Sequence, residues 1–312
     1  MWKTLICFLI FVATAAAADI RLGIIGTDTS HAIEFTRAFN DASSPSHIAG
    51  ARVVVAYKGG SPDLPVSYQR VDKFAAELQT KYGIEFVPDI PTLCQKVDAI
   101  LLESVDGRVH LKQVKEAVAS RKPMFIDKPL AATLEDAREI ARILEEAGVP
   151  WFSSSSSRFG GIATAMKFSD TTGVITWGPS PPEPLFPLDL AWYGIHSIEL
   201  LYTLMGPGCE EVRRIPARDM EVIVGRWKDG RTGTVYALTE SRATGAVIFR
   251  PKIAVQSDPK MEGGYGPLLR EIVKFFQTRV PPVSPAETLE IFSFMDAAQR
   301  SKAAGGQPVR LR

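Results

Sequence analysis

Ile20-Arg21-Leu22-Gly23-Ile24-Ile25-Gly26 is the stretch of sequence from which the fold follows. Its β-branched apolar residues predict a buried strand, and Gly26 predicts a tight turn where that strand ends. Helical spacing begins a few residues later, over 32–38. A strand, a glycine turn and a helix in this order predict the first half of a βαβ unit in a parallel sheet.

Apolar strands and amphipathic helices go on alternating along the chain to about residue 152. This rhythm predicts a Rossmann-like, doubly wound parallel sheet with helices on both faces. Ligands of such sheets bind in the crevice beyond the carboxyl ends of the strands. We predict further strands over 52–57, 99–102, 124–126 and 149–152, and helices over 71–82, 111–119 and 134–146.

The pattern changes after residue 157. The rest of the chain is predicted to contain both strands and helices. The strands lie over 173–177, 220–227, 232–239, 247–249 and 253–256, and the helices over 191–204, 267–278 and 285–304. Asp229-Gly230 between two of these strands is a strong hairpin signal. We therefore expect an α/β protein with two domains, a dinucleotide-binding domain over 19–150 and an α+β domain with an open antiparallel sheet over 151–312.

Composition sets limits on the partners. The chain has 312 residues, 46% of them hydrophobic, with 36 Lys and Arg against 35 Asp and Glu. A net charge of +1 without runs of like charge gives no reason to expect a nucleic-acid partner. Apart from Cys7 there are two cysteines, Cys94 and Cys209, which we expect to be buried free thiols.

The N-terminus has the layout of a secretory signal peptide. A short basic region, Met1-Trp2-Lys3, precedes an apolar stretch over 5–12 and four alanines over 15–18. The apolar stretch is too short to span a bilayer. We predict a signal peptide over 1–18 cleaved after Ala18, a periplasmic or secreted location and no membrane attachment afterwards. A buried first strand is the weaker alternative, because the strand at Ile20 follows immediately.

The loop after the first strand is the candidate pyrophosphate site. A dinucleotide-binding loop reads Gly-x-Gly-x-x-Gly, so that the backbone approaches the pyrophosphate at a helix N-terminus. Only the first glycine is present here, Asp28 replaces the second and His31 the third. Asp28 either caps the following helix or faces the cofactor, and these two readings stay open. The cofactor candidates of this loop are Gly26, Thr27, Asp28, Ser30 and His31.

Two further strand ends offer cofactor contacts. An acidic residue usually follows the second strand and holds the ribose of NAD, but Lys58 stands there. Lys58 either favours the 2′-phosphate of NADP or is an ordinary surface lysine. Glu103 ends the third predicted strand and is placed at the rim of the crevice. His110 begins the next helix and is interpreted as a structural residue.

The run Phe125-Ile126-Asp127-Lys128-Pro129 puts a carboxylate and an ammonium at the end of a buried strand. A lysine at this edge of the sheet can bind a hydroxyl or take part in proton transfer. Asp127 and Lys128 are therefore further cofactor candidates, and Lys128 is a catalytic one.

The segment Asp189–Glu199 supplies the second catalytic candidate. At helical spacing Trp192, His196 and Glu199 share one face, and a histidine beside a carboxylate can serve as acid or base. Trp192 and Tyr193 are placed to stack on a sugar ring. The alternative is a helix that buries its aromatic residues around one hydrogen-bonded histidine.

Four features in order are the βαβ start, Asp-Lys-Pro, Arg158-Phe159 and Gly194-x-His196-x-x-Glu199. With them, the chain resembles the Gfo/Idh/MocA oxidoreductase family over about 20–311. The resemblance implies a Rossmann domain with NAD or NADP, and hydride transfer at a sugar or cyclitol carbon. It implies that Lys128 contacts substrate and nicotinamide, that His196 is the acid or base, and that Arg158 and Glu199 contact substrate. Self-association through the open sheet is implied as well.

This chain departs from the family pattern at positions that bear on function. Asp127 replaces a glutamate, and Trp192 stands where a carboxylate is usual. The first hypothesis is an NAD(P)-dependent oxidoreductase acting on a sugar, sugar acid or cyclitol, with NADP slightly favoured by Lys58. The alternative is a carbohydrate-binding protein or lyase without nicotinamide, using His196 with Glu103 or His31. Four dispersed histidines predict no metal site.

Overall fold

The computed structural model describes residues 18–261 and 263–312, so the predicted signal peptide lies almost wholly outside the described residues. Two sheets organise the chain. The strands are β1 (Ile20–Ile25), β2 (Ala51–Tyr57), β3 (Glu85–Val87), β4 (Ala99–Leu102), β5 (Met124–Asp127), β6 (Trp151–Ser154), β7 (Gly173–Pro179), β8 (Cys209–Pro216), β9 (Met220–Trp227), β10 (Thr232–Leu238), β11 (Gly245–Arg250), β12 (Ile253–Gln256) and β13 (Val309–Arg310).

The helices alternate with the strands in the first half and cluster in the second. They are α1 (Ser30–Asn40), α2 (Pro65–Tyr68), α3 (Val71–Tyr82), α4 (Ile90–Lys96), α5 (His110–Ala117), α6 (Leu134–Glu146), α7 (Gly161–Ala165), α8 (Asp189–Trp192), α9 (Ile195–Met205), α10 (Gly266–Thr278) and α11 (Pro285–Ala303). The predicted helix over 191–204 is in fact broken at Tyr193-Gly194 into α8 and α9.

The first sheet is parallel and has the strand order β3-β2-β1-β4-β5-β6. Strand β1 pairs with β2 on one side and with β4 on the other. This is the strand order of a Rossmann fold, whose crevice opens where the order reverses, between β1 and β4. The predicted α/β fold is confirmed, and the loops after β1, β4 and β5 are brought to one edge of the sheet.

The N-terminus of α1 is capped by Thr29, whose side chain accepts a hydrogen bond from the backbone N–H of His31. The capping role considered for Asp28 is therefore wrong. Asp28 is fully buried and its carboxylate is directed at other groups, so the shorter threonine hydroxyl one residue later satisfies the helix end.

The second sheet has the order β12-β11-β7-β10-β9-β8-β13. Neighbouring strands of this sheet run antiparallel, except that β7 and β10 run parallel. The predicted hairpin joins β9 to β10, and Gly230 adopts a φ of +88° in its turn. Helices α9 and α11 cover one face of this sheet.

The two sheets share the closing helices. Helix α10 packs Leu269, Ile272 and Phe275 into the same apolar cluster as Phe35 and Phe152 of the first domain. Strand β6 pairs with β5, so the first sheet extends to Ser154, beyond the predicted boundary at residue 150. The domains are therefore joined by a continuous core as well as by the chain.

Cys94 and Cys209 are buried and unbridged, as predicted. Within residues 18–261 and 263–312, no helix is both long and apolar enough to cross a membrane.

Candidate functional site

A cavity of about 160 Å³ lies where the loops after β1, β4 and β5 meet the second domain. Its size is below the ~300 Å³ at which pockets for drug-sized ligands begin, so it suits a molecule of monosaccharide size. It is lined by Thr29, Ser30, His31, Val66, Arg70, Val105, Lys128, Ser156, Trp192, Tyr193, His196 and Tyr265.

A histidine and a carboxylate form the floor on the Rossmann side. His31 Nδ1 lies 2.6 Å from Asp127 Oδ2, and both side chains are nearly buried. Burial opposes the charge on Asp127, but His31 and then Lys128 outweigh it and lower the pKa of this carboxyl. Because the ionised carboxylate accepts, Nδ1 of His31 is the donor, and Nε2 is the nitrogen left for a ligand.

The Lys128 ammonium lies over the ring of Tyr193, 5.2 Å from its centroid. This cation–π contact joins the end of β5 to the break between α8 and α9. A predicted catalytic residue from the first domain is thus held against an aromatic residue of the second, at the edge of the cavity.

His196 enters the cavity from the first turn of α9. Its Nδ1 lies 2.6 Å from the hydroxyl of Ser155, which also accepts the N–H of Ser157. Burial, and then the positive charges of Lys128 and His31, lower the pKa of His196 well below its ordinary value. His196 is therefore neutral at pH 7 and can take up a proton at Nε2.

Aromatic residues form the wall beside His196. Trp192 packs between Phe186 and Tyr193, with ring centroids 5.0 and 5.7 Å away. Tyr193 in turn lies edge-on to His196. The structure therefore brings Trp192 and Tyr193 to the predicted place, where flat apolar surface suits the face of a sugar ring.

Gly26 meets the requirement of a Rossmann turn. It has a φ of +90°, and an added Cβ would lie 2.5 Å from the backbone N and Cα of Ser104. Only glycine fits this close crossing of two loops.

The next two residues of that loop do not face the cavity. Thr27 is fully buried and both its N–H and its hydroxyl bond to the carbonyl of Lys58. Asp28 accepts hydrogen bonds from the Ser67 hydroxyl at 2.5 Å and from the Val105 N–H at 3.1 Å. Burial raises the pKa of Asp28. The predicted cofactor contacts of Thr27 and Asp28 are therefore wrong in this structure, because neighbouring groups occupy their polar atoms.

Residues 59–70 explain this arrangement, and we call them the 59–70 segment. They follow β2 directly and contain α2, with Leu64 and Ser67 fully buried. The segment binds the loop after β1 through Ser67 and Asp28. It binds the loop after β4 through Asp63 and Arg108, whose guanidinium also holds Asp106. It therefore lies across the crevice between β1 and β4.

Lys58 agrees with the surface-lysine alternative, whereas Glu103 is not placed as predicted. The Lys58 side chain is half exposed and forms an ion pair with Asp72. Glu103 is fully buried below the cavity, and neither carboxylate oxygen has a hydrogen-bond partner among the described residues. Burial, with a contribution from the Asp127 charge, raises the pKa of Glu103 well above its ordinary value. Glu103 is therefore an uncharged acid beneath the site and does not stand at its rim.

Arg158 and Glu199 are also absent from this cavity. Arg158 is buried, with Nε 2.7 Å from Glu199 and Nη1 2.6 Å from Glu287. Glu199 further accepts the N–H of Ser155. Although burial opposes its charge, the two carboxylates keep the pKa of Arg158 raised. Their predicted contact with substrate is wrong, because the ion pair fastens the turn after β6 to α9 and α11 instead.

The sequence analysis did not identify several residues of the site. Ser155 lies next to the cavity and orients both His196 and Glu199. Arg70 and Tyr265 belong to loops whose position no local pattern indicates. Tyr265 lies edge-on to His31, with centroids 4.7 Å apart.

Over the described ranges, no three His, Cys, Asp or Glu residues lie close enough together to hold a metal ion.

The strand order, the glycine turn and the cavity at the strand ends define a two-domain protein of the dinucleotide-binding class. Residues 20–154 match the family described as "Oxidoreductase family, NAD-binding Rossmann fold". The first domain is therefore similar to the Gfo/Idh/MocA oxidoreductase family.

A curated protein is similar to part of this chain. Over 53 residues the chain is 49% identical to inositol 2-dehydrogenase of Paracoccus denitrificans. That match spans 17% of this chain and 16% of the relative.

Two solved structures share the whole fold. A myo-inositol dehydrogenase from Lactobacillus casei in complex with NAD(H) and myo-inositol has a TM-score of 0.73 at 18% identity, covering 95% of this chain and 97% of that one. An oxidoreductase from Agrobacterium radiobacter in complex with NAD+, L-tartaric acid and magnesium has a TM-score of 0.74 at 16% identity, covering 94% and 99%.

The residues of this chain fit a dinucleotide at one end only. At the cavity, Ser30 and the first turn of α1 suit a pyrophosphate, and Lys128 suits the nicotinamide side of a Rossmann crevice. At the other end, the 59–70 segment and the buried Asp28 occupy the crevice that the adenosine half requires. The adenosine half therefore does not fit while the contact between Ser67 and Asp28 is in place.

Proposed function

We propose that this protein is an NAD(P)-dependent oxidoreductase that acts on a hydroxyl of a sugar, sugar acid or cyclitol. The observation that carries the proposal is the convergence of Lys128 from the Rossmann domain and His196 from the second domain on one cavity. The match of residues 20–154 to an NAD-binding oxidoreductase family supports it. When bound, the cofactor would supply the hydride acceptor at this site.

His196 is the proposed base. Its lowered pKa keeps the imidazole neutral at pH 7, and Nδ1 is engaged by Ser155. A substrate hydroxyl at Nε2 can therefore lose its proton to a nitrogen that is already oriented. The Ser155 hydroxyl can accept from Nδ1 in the charged imidazole, which stabilises the protonated form as it develops.

Lys128 is the proposed electrostatic partner. Its ammonium is held by the Tyr193 ring, and a cation stabilises the negative charge that builds on an oxygen losing its proton. The same charge lowers the pKa of His196, so Lys128 both prepares the base and stabilises the deprotonated substrate.

Binding of nicotinamide cofactors tests this proposal. Calorimetric titration of the purified protein with NAD+, NADH, NADP+ and NADPH should show one of them binding with a Kd between about 1 μM and 1 mM. Lys58→Ala should reduce any preference for NADP, because it removes the cation nearest the end of β2. Absence of binding to both the native protein and a Ser67→Ala variant would overturn the redox proposal.

A second candidate function follows from the 59–70 segment. Because it occupies the adenosine half of the crevice, the cavity can serve acid–base chemistry or carbohydrate binding without nicotinamide. His31, oriented by Asp127 at 2.6 Å, and His196 would then be the proton carriers of a lyase. Saccharide binding that is independent of every nicotinamide cofactor distinguishes this candidate from the first.

Export and assembly remain proposals from the sequence. We infer that the chain is cleaved after Ala18 and exported, which N-terminal sequencing of the periplasmic or secreted protein tests. Self-association through the second sheet is supported by the half-exposed Ile215, Phe249 and Ile253. Sedimentation equilibrium tests it, and a monomer at micromolar concentration contradicts it.

A further inference from the structure

The cavity contains two cations that the protein does not neutralise. Arg70 reaches it from the 59–70 segment and Lys128 from the end of β5. The carboxylate beside the lining, Asp127, is hydrogen-bonded to His31. Within the described ranges, neither Arg70 nor Lys128 is paired with a carboxylate, and Lys128 has an aromatic ring as its partner.

The acids nearest the cavity do not compensate these charges fully. Asp127 is only 3% exposed, and His31 and the backbone N–H of Lys128 occupy its oxygens. Glu103 lies beneath the site with no partner for its carboxyl. The lining residues themselves include no Asp or Glu. The field in the cavity is therefore positive, and it favours an anion.

The remaining lining fits a hydroxylated molecule. Thr29, Ser30 and Ser156 offer hydroxyls, and the N-terminus of the eleven-residue helix α1 adds its partial positive charge. Trp192 and Tyr193 offer apolar ring faces. A volume of about 160 Å³ admits a single sugar unit.

We propose that the cavity recognises a sugar acid of the aldonic or uronic class, with its carboxylate bound by Arg70 and its reacting hydroxyl at His196. Lys128 lines the same cavity and is a second cation for the bound acid. The assignment of the reacting hydroxyl rests on the proposed function, whereas the carboxylate contact does not. Arg70 is then the specificity-determining residue, contributed by the same segment that covers the adenosine half.

Calorimetry with matched acids and neutral sugars tests this. The probes are D-gluconate and D-glucuronate against D-glucose and myo-inositol. We expect the acids to bind at least tenfold more tightly. Arg70→Gln should weaken acid binding by about 10- to 100-fold, the usual loss of a charge-assisted hydrogen bond. It should leave the neutral probes unchanged, and Arg70→Lys should restore most of the affinity.

Arg52→Gln is the matched control, because Arg52 is an exposed arginine of β2 outside the cavity. Circular dichroism of each variant confirms folding. Equal affinity for acids and neutral sugars, or an Arg70→Gln variant that binds acids normally, overturns the proposal. Sulfate binding as tight as that of the sugar acids would also overturn it, since the site would then recognise charge alone.

The outcome is separable from that of the redox proposal. Sugar-acid binding without nicotinamide binding contradicts the redox function and supports the carboxylate site. Nicotinamide reduction with neutral sugars alone supports the redox function and contradicts the carboxylate site.

Discussion

The Asp28 carboxylate accepts a hydrogen bond of 2.5 Å from the Ser67 hydroxyl, and both side chains are fully buried. Asp28 stands where a dinucleotide-binding loop has its second glycine, and Ser67 belongs to the 59–70 segment. This single contact therefore joins the candidate pyrophosphate loop to the segment that covers the adenosine half of the crevice. Whether a cofactor enters depends on this contact.

The contact between Asp28 and Ser67 should be measurable in the free energy of unfolding. A double-mutant cycle with Asp28→Asn and Ser67→Ala should give a coupling energy of about 1–3 kcal/mol, because the bond involves a buried carboxyl. Urea denaturation of the four proteins provides the measurement. Ser169→Ala, at an exposed turn residue, is the control. A coupling energy near zero would show that the segment is not fastened here.

His196→Gln should lower turnover of a sugar acid by about 10²- to 10⁴-fold, the usual contribution of a positioned base, with little change in stability. Because the pKa of His196 lies well below its ordinary 6.5, native turnover should not fall as the pH is lowered from 8 to 6.5. A sharp loss of kcat over that interval would contradict a neutral His196.

Ser155→Ala should act through His196. We expect kcat to fall about tenfold and the acid limb of the pH profile to move, because the hydroxyl at 2.6 Å from Nδ1 is lost. KM should change less than kcat. An unchanged pH profile would mean that Ser155 has a structural role only.

Glu103 should make the native protein less stable as the pH rises. Its folded pKa lies well above 4.5, so the unfolded chain releases this proton at a lower pH than the folded chain does. The stability due to the bound proton is complete below pH 4.5 and is lost as the pH rises toward the folded pKa. Urea denaturation of native protein and Glu103→Gln at pH 5 and 8 measures it.

Glu103→Gln has no proton to release, so the native protein should lose about 1–3 kcal/mol of stability relative to this variant between pH 5 and 8. Glu135→Gln, at an exposed acid in the first turn of α6, is the control. An equal difference at both pH values would contradict a protonated Glu103.

Arg158→Ala should destabilise the fold by about 3–5 kcal/mol, because Glu199 and Glu287 lose their shared partner in a buried environment. The measurement is the free energy of unfolding in urea. Arg158→Lys should recover only part of the loss, since an ammonium cannot keep the forked geometry. A stable Arg158→Ala variant with a raised KM would restore the substrate role predicted from the sequence.

The sequence predicted those parts of the molecule that local patterns encode. Helices α3 and α6 begin and end at the predicted residues, because amphipathic spacing is closed by Gly83 and Gly148 in left-handed conformations. Lys128 and His196 were predicted from motifs at the end of a strand and the start of a helix. The structure brings both to one cavity.

The predictions that were wrong concern residues whose position depends on long-range packing. Nothing near Pro65 indicates that α2 crosses the crevice, so Asp28 was considered as a cap or a cofactor contact. Arg158 was interpreted through a motif, but its partners are 41 and 129 positions away. Glu103 ends a strand at the expected edge, yet the layers above bury it completely. Such outcomes depend on which loops meet, and spacing along the chain does not encode this.

The central claim is that Lys128 and His196 carry out nicotinamide-linked oxidation in this cavity. The most direct measurement is the rate of nicotinamide reduction by purified protein given NAD+ or NADP+ with D-gluconate, D-glucuronate or myo-inositol. We predict reduction with at least one substrate, slowed by about 10²- to 10⁴-fold in both Lys128→Met and His196→Gln. Reduction at the native rate in these variants, or none in native protein that binds both ligands, would contradict the account.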